Sequence, residues 1–344
     1  MNLKAKKLSA ILLAITAAIG ISACTPINNS DAVGSGSASY GSAVEQIAQS
    51  EAVNTYFSIP SSRDESVEIP VGVTVPSLKE GESCPVVLLV HGFLGSKDEE
   101  FGLYANNTDE TYDYKSIAEQ LLELDIGTIR IDQPGSGDSE DSFLNYTLEN
   151  SVSDLQDAYD YCMEQYAFDP SRVGLVGWSM GGKVGAKFVS QNDNVSTLVL
   201  LNPAGDNGNT SLLTAAGAGL DWNALEAGLK DGKVYNETAS AFAGKDLYMS
   251  EDFFEQIDQS TTGDEVTAFM QRDGTHGLMI YGDQDSVINP DTYEWLIENS
   301  GISYVCIPGM DHDLGLESNR PDYTNIVIDS TVSYLYRFCK GTGR

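Results

Sequence analysis

From about residue 85 the chain alternates short apolar runs with segments in which apolar residues recur every three or four positions, the pattern of strands and helices taking turns. Pro85-Val86-Val87-Leu88-Leu89-Val90 is continuously apolar, as a strand covered on both faces must be. Tyr114, Ile117, Ala118, Leu121 and Leu122 then fall at helical spacing, and Gly127-Thr128-Ile129-Arg130-Ile131-Asp132 reads as the next strand. Leu148, Val152, Leu155, Tyr159, Cys162 and Tyr166 step by 4, 3, 4, 3 and 4, one stripe along a long helix. Arg172-Val173-Gly174-Leu175-Val176 is a further strand that runs into a glycine-rich turn and another helix. Val195 to Leu201, Gly277 to Tyr281 and Ile302 to Ile307 supply three more strands, and Ile328, Val332, Leu335 and Cys339 a closing helical stripe. Ahead of this series, Val53 to Ile59 and Ser66 to Val75 predict two strands joined by a polar turn, an antiparallel opening. The alternation predicts an α/β fold whose mostly parallel central sheet carries helices on both faces.

Between Asn202 and Thr275 the alternation stops, and roughly 70 residues intervene where a simple crossover needs far fewer. Helical pieces are predicted around Leu212 to Leu229 and Glu251 to Met270. A helical cap insertion, about 204–275, would hang over the carboxyl edge of the sheet, where ligands bind in open α/β folds.

The N-terminal end of the chain changes the picture of where it works. A basic start (Lys4, Lys6, Lys7), an apolar run from Leu8 to Ile21 and small residues before a cysteine make residues 1–23 a secretory signal. Ile21-Ser22-Ala23-Cys24 resembles a bacterial lipobox, which implies lipidation of Cys24, a membrane-anchored protein outside the cytoplasm, and no membrane contact beyond that anchor. Residues 24–50, rich in Ser, Gly, Asn and Ala, read as a tether, and 51–344 as the folded domain. The formal charge of −32 repels nucleic acid and anionic lipid and favours neutral or cationic substrates. Cys84, Cys162, Cys306 and Cys339 form no C-x-x-C pair and scatter over the predicted layers, so four free, mostly buried thiols are expected.

Gly177-Trp178-Ser179-Met180-Gly181-Gly182 follows the 172–176 strand and opens a helix, a G-x-S-x-G nucleophile elbow in strand-to-helix setting. The glycines leave a turn too tight for side chains around them, so the Ser179 hydroxyl stands exposed over a helix N-terminus. With the elbow in this order of elements, the chain from about residue 53 resembles the α/β-hydrolase fold. That resemblance implies a triad in the order serine, acid, histidine. Tyr281-Gly282-Asp283-Gln284-Asp285 matches the family's strand-Gly-x-x-Asp turn and puts the acid at Asp285, with Asp283 as the competing choice and Asp206 as a remoter one. His312, in Pro308-Gly309-Met310-Asp311-His312-Asp313 after the last strand, is where the family carries its base. His276 reads as a linker residue and His91 as a partner of buried backbone. Asp311 and Asp313 are placed to raise the pKa of His312. The oxyanion donors implied are the backbone N–H groups of Met180 and of Phe93 in His91-Gly92-Phe93-Leu94-Gly95. Neither a metal nor an organic cofactor is required by this chemistry.

Other motifs fall away on inspection. Gly135-Ser136-Gly137-Asp138-Ser139-Glu140 lacks the third glycine of a dinucleotide loop. Lys183 is four residues after Ser179, so the Ser-x-x-Lys spacing is missing, and no His-Glu-x-x-His occurs. Within the family, His91-Gly92-Phe93, Asp132 and the 135–139 turn look most like bacterial carboxylesterases of the cinnamoyl (feruloyl) type, although Trp178 and Met180 replace the histidine and glutamine common in that subgroup. Trp222, Tyr235, Phe242, Tyr248, Phe253 and Phe254 of the insertion are candidates to line an acyl pocket. The function implied is hydrolysis of short-chain or aromatic acyl esters through an acyl-enzyme, the partner being a small-molecule ester. A peptidase or lipase on the same scaffold, or a non-catalytic binding lipoprotein, are the alternatives.

Overall fold

Two antiparallel strands, β1 (Val53–Ser61) and β2 (Asp64–Val75), open the folded part of the chain, as the polar turn between two apolar runs predicts. The computed structural model describes residues 51–99, 102–106, 114–205, 222–288, 290–316 and 318–341. The expected signal sequence, Cys24 and the tether lie outside these residues, as does Asp206. Then follow β3 (Cys84–Val90), α1 (Ile117–Glu123), β4 (Gly127–Ile131), a short 3-10 turn (Phe143–Asn145), α2 (Leu148–Gln165), β5 (Phe168–Trp178), α3 (Met180–Gln191) and β6 (Val195–Leu201). Among the described residues the sheet has eight strands, six of them so far, in the order β1-β2-β4-β3-β5-β6. It is completed by β9 (His276–Gly282) and β10 (Ser303–Ile307), all strands from β4 to β10 in that order being parallel.

β3 is buried at every position. Val86, Leu88 and Val90 enter one core with Leu155 and Tyr159 of α2 and Val184 and Phe188 of α3, while Val87 and Leu89 enter a second with Ile117 and Leu121 of α1. This is the period of two of a strand with helices on both faces. The second core also takes Val327, Ile328 and Leu335 of the last helix, Pro321–Leu335, and Cys339 in the π-helical turn Tyr336–Lys340 that extends its stripe. α1 starts in a capping box of Ser116 and Glu119, which satisfies donors a helix leaves unpaired at its first turn.

The described part of the insertion holds more than the two helical pieces read from the sequence. It comprises α4 (Trp222–Ala227), the strand β7 (Lys233–Tyr235), α5 (Glu237–Ala243), the strand β8 (Tyr248–Ser250), α6 (Glu251–Gln259) and α7 (Thr262–Met270), with β7 and β8 paired antiparallel. α8 (Pro290–Ser300) lies between β9 and β10, and α9 is the last helix named above.

Cys84, Cys162 and Cys339 are free and buried, and burial pushes their thiols up to about 12, 12 and 11. The expectation of four free thiols is corrected to three, Cys306 not being among the free cysteines. That cysteine differs physically: it is only half-buried and sits on β10, the edge strand, rather than between layers. Among the described residues no helix is long and apolar enough to cross a membrane.

Candidate active site

β5 ends at Trp178 and α3 begins at Met180, so Ser179 alone makes the turn. It holds φ 54° and ψ −122°, a backbone conformation that L residues rarely adopt and that persists only where the surroundings enforce it. The enforcement is visible: Ser179 N–H donates to the Leu201 carbonyl at 2.9 Å, and the Ser179 carbonyl accepts from Gly182 and Ala204 at 2.9 and 2.8 Å. A Cβ on Gly177 would stand 2.4 Å from the Gly181 carbonyl oxygen, and one on Gly181 only 2.0 Å from that of Val90. The two glycines are therefore what lets strand and helix close on each other around the serine.

His312 Nε2 lies 2.9 Å from Ser179 Oγ, and His312 Nδ1 lies 2.8 Å from Asp285 Oδ2. Since an ionised carboxylate can only accept, Nδ1 carries the hydrogen and Nε2 presents its lone pair to the serine hydroxyl. Asp285 is 1% exposed at its side chain and fully engaged: Oδ1 accepts from the N–H groups of Val287 and Ile288 at 2.8 and 3.0 Å, and Oδ2 from Tyr293 at 2.5 Å. Burial alone would raise this carboxyl, but His312, the Tyr293 hydroxyl and the Ile288 amide hold it below the ordinary carboxylate range. Burial likewise would lower His312, but the charge and hydrogen bond of Asp285, with Asp313 and Asp311 further out, carry it above the ordinary 6.5.

Asp283, the competing acid, points elsewhere: its Oδ1 accepts from Gly309 N–H at 2.7 Å, at the base of the histidine loop. His91 is fully buried, accepts from Gln133 N–H at Nε2 (3.0 Å) and reaches its neighbour's carbonyl through Nδ1 (2.8 Å). Burial drives its pKa down, and it braces the loop it sits in. His276 is half-buried and stacks on Phe338 at 3.9 Å.

The loop after β3 lies against the elbow, for a Cβ on Gly92 would be 3.1 Å from that of Ser179. Phe93 follows at once, and Met180 is the first residue of α3, so both predicted amide donors are in segments adjoining the serine. The loop is itself tied down. Buried Asp132 accepts from Lys97 N–H (2.5 Å), Lys97 Nζ (2.8 Å) and Asp138 N–H (2.9 Å), and Lys97 Nζ also reaches Asp138 at 2.6 Å. Gly137, at φ +53°, is needed there, since a Cβ would fall 2.4 Å from the Asp132 carboxyl. The glycine-rich 135–139 turn is thus a brace between two loops at the carboxyl edge.

The predicted pocket aromatics divide. Phe253 and Phe254 are buried, and Phe253 joins Phe93 (6.5 Å between ring centroids) and Tyr146 (6.1 Å), with Phe143 stacked on Tyr146 at 4.9 Å. Tyr235, Phe242 and Tyr248 are 44%, 37% and 39% exposed, which does not suit the enclosed pocket expected of them; two of them simply face each other across the β7–β8 pair. Trp222 opens α4. The insertion is fastened to the site by buried Lys183 of α3, whose Nζ donates to Thr262 at 3.0 Å, and by Lys245, which reaches the Gly135 carbonyl at 3.3 Å. Sequence reasoning missed Tyr293, Phe143, Tyr146, Trp178 and Asn202 as neighbours of the site. Only the 178 position, inside the motif, carried a signal. Among the described residues no group of His, Cys, Asp and Glu side chains is arranged to hold a metal ion.

A model of the alpha/beta hydrolase family matches residues 87–325. The fold is similar to that of Est1E from Butyrivibrio proteoclasticus, solved with ferulic acid bound, at 18% identity and TM-score 0.59, covering 81% of this chain and 99% of that one. It is similar to the esterase domain of a Rhodothermus marinus protein, at 16% identity and TM-score 0.56, with 83% and 99% covered. A puromycin-hydrolyzing peptidase of Mycobacterium tuberculosis also resembles it, at 15% identity and TM-score 0.58, with 85% of this chain and 40% of that one covered. At such identities the likeness speaks to the fold alone. No curated protein shows a significant sequence match.

Proposed function

The chain belongs to the alpha/beta hydrolase family, and on that premise we propose that it is a serine hydrolase of carboxylic esters, with Ser179 as nucleophile, His312 as base and Asp285 as the acid that orients it. The observation that carries this reading is the unbroken chain of contacts from Ser179 Oγ through the imidazole to a buried carboxylate, at 2.9 and 2.8 Å. In the reaction, His312 Nε2 takes the hydroxyl proton as Oγ attacks the ester carbonyl, and the tetrahedral oxyanion accepts from the N–H groups of Met180 and Phe93. Collapse expels the alcohol, which leaves with the proton now on His312. Water, activated by the same nitrogen, then releases the acid and restores the serine. Asp285 stays ionised throughout and stabilises the imidazolium by charge.

Short-chain or aromatic acyl groups are the proposed substrates. Support comes from the aromatic wall of Phe93, Phe143, Tyr146 and Phe253 beside the oxyanion loop, and from the ferulic acid bound to Est1E. Purified Ser179→Ala should lose p-nitrophenyl acetate and butyrate turnover by about 10⁴-fold or more while keeping its thermal midpoint. Undiminished turnover in that variant would remove the nucleophile and the reading with it. Peptide amides and long-chain emulsions in the same assay separate an esterase from a peptidase or a lipase. We place the enzyme outside the cytoplasm, tethered through lipidated Cys24, on the strength of the three signal regions at its N-terminus.

A further inference from the structure

Residues 308–316, which carry His312, follow β10 and hold neither helix nor strand, yet the base they carry must be held to a fraction of an ångström. Two buried side chains outside the loop grip it by the backbone. The carbonyl of His312 accepts from Asn202 Nδ2 at 2.8 Å and from Trp178 Nε1 at 3.3 Å, and Asn202 Nδ2 also reaches the Asp311 carbonyl at 3.0 Å. The other end of the same amide, Oδ1, accepts from Gly282 N–H at 2.9 Å, three residues before Asp285. Two carbonyls facing one end and an N–H facing the other allow a single orientation of the amide.

Asn202 is fully buried at the end of β6 and holds φ 38°, in the left-handed region that asparagine enters more readily than most residues. Its own N–H donates to the Ile280 carbonyl at 2.9 Å. One side chain thus touches the acid turn and the base loop together. Trp178 is 8% exposed, directly precedes the nucleophile, and keeps its ring 6.4 Å from the imidazole. Its indole N–H ties the base loop to the residue beside Ser179, so elbow and base are referred to one point.

We propose that Trp178 and Asn202 are positioning residues, which set the imidazole of His312 against Ser179 by holding its carbonyl, Asn202 also fixing the acid turn relative to the base loop. The proposal rests on the reading of Ser179, His312 and Asp285 given above. Its chemical content is that Nε2···Oγ alignment, not substrate binding, depends on these two donors. Trp178→Phe keeps an aromatic ring and removes the N–H together with part of the indole's volume, which the thermal midpoint reports separately. Asn202→Asp keeps the shape and replaces a donor to two carbonyls with an oxygen that cannot donate when ionised.

The test reads three quantities on the full chain: kcat and KM for p-nitrophenyl butyrate, the downfield proton resonance of the imidazole N–H facing Asp285, and the thermal midpoint. In Trp178→Phe, kcat should fall about 10-fold with KM within about twofold and with the resonance displaced; in Asn202→Asp the fall in kcat should be about 10²-fold. If the second variant does not fold, the first decides alone. Wild-type kcat and an unmoved resonance in folded Trp178→Phe would overturn the proposal, whatever its thermal midpoint. The resonance is read whether or not an ester is cleaved, so a wild-type protein without esterase activity would sink the proposed function while the positioning role is still judged on the spectrum.

Discussion

A histidine serves as a base only while one ring nitrogen is bare, and His312 is held in an environment that makes the protonated form easier to reach. Its pKa lies above the ordinary 6.5, because Asp285, Asp313 and Asp311 outweigh burial. The sign follows directly: as pH falls through that raised value the imidazole is protonated and Ser179 loses its proton acceptor. The acid limb of kcat/KM should therefore have its midpoint above 6.5. Asp285→Asn should lower kcat by about 10⁴-fold and move that midpoint to lower pH, since the charge that raises it is gone. A limb at or below the free histidine value in the wild type would show that the surrounding carboxylates do not raise the imidazole. Residues of this kind were legible to very different degrees. Ser179 announces itself by its glycines, whereas Asn202 and Trp178 act on a backbone carbonyl more than 100 residues away, and a contact to a carbonyl leaves no trace in the partner's side-chain identity.

Among the elements, those that carry a long buried face could be read from the chain, and those that do not could not. β6 was bounded to the residue by its apolar run, and α2 within one, because each buries a face whose period is fixed by its geometry. The β7–β8 pair has three residues a side with Lys233 and Tyr235 exposed, too short for any period to show. α5, also short and missed, depends on its Asn236 cap, whose side chain accepts from Ala239 N–H at 2.9 Å. The loops at the carboxyl edge were legible as motifs but not as a structure. The brace of Asp132 joins Lys97 and Asp138 across 41 residues of sequence, and its ion pair is 6% and 0% exposed. Removing one partner of such a pair is costly, so Lys97→Met should destabilise by about 3 kcal/mol, the two amide donors left to Asp132 keeping it at the low end. That corresponds to a fall of about 5 °C in the midpoint of thermal unfolding. A midpoint unchanged in Lys97→Met would show that the Lys97–Asp132 pair adds nothing to stability.

Taken as a whole, the molecule is a scaffold that converges distant loops at one edge of an eight-stranded sheet and then roofs part of that edge with an insertion. Its formal net charge of −32 disfavours anionic substrates. The proposed lipid anchor is tested at the N-terminus: Cys24→Ala should move the protein from the membrane fraction to the soluble extracytoplasmic one, and unchanged partition would exclude the anchor. The central claim, that Ser179 is made nucleophilic by His312, is tested most directly by reacting the protein with a fluorophosphonate and mapping the adduct by peptide mass spectrometry. The predicted result is stoichiometric modification of Ser179, lost in Ser179→Ala and slowed at least about 10³-fold in His312→Ala. Modification of another residue, or a rate indifferent to the loss of His312, would contradict it.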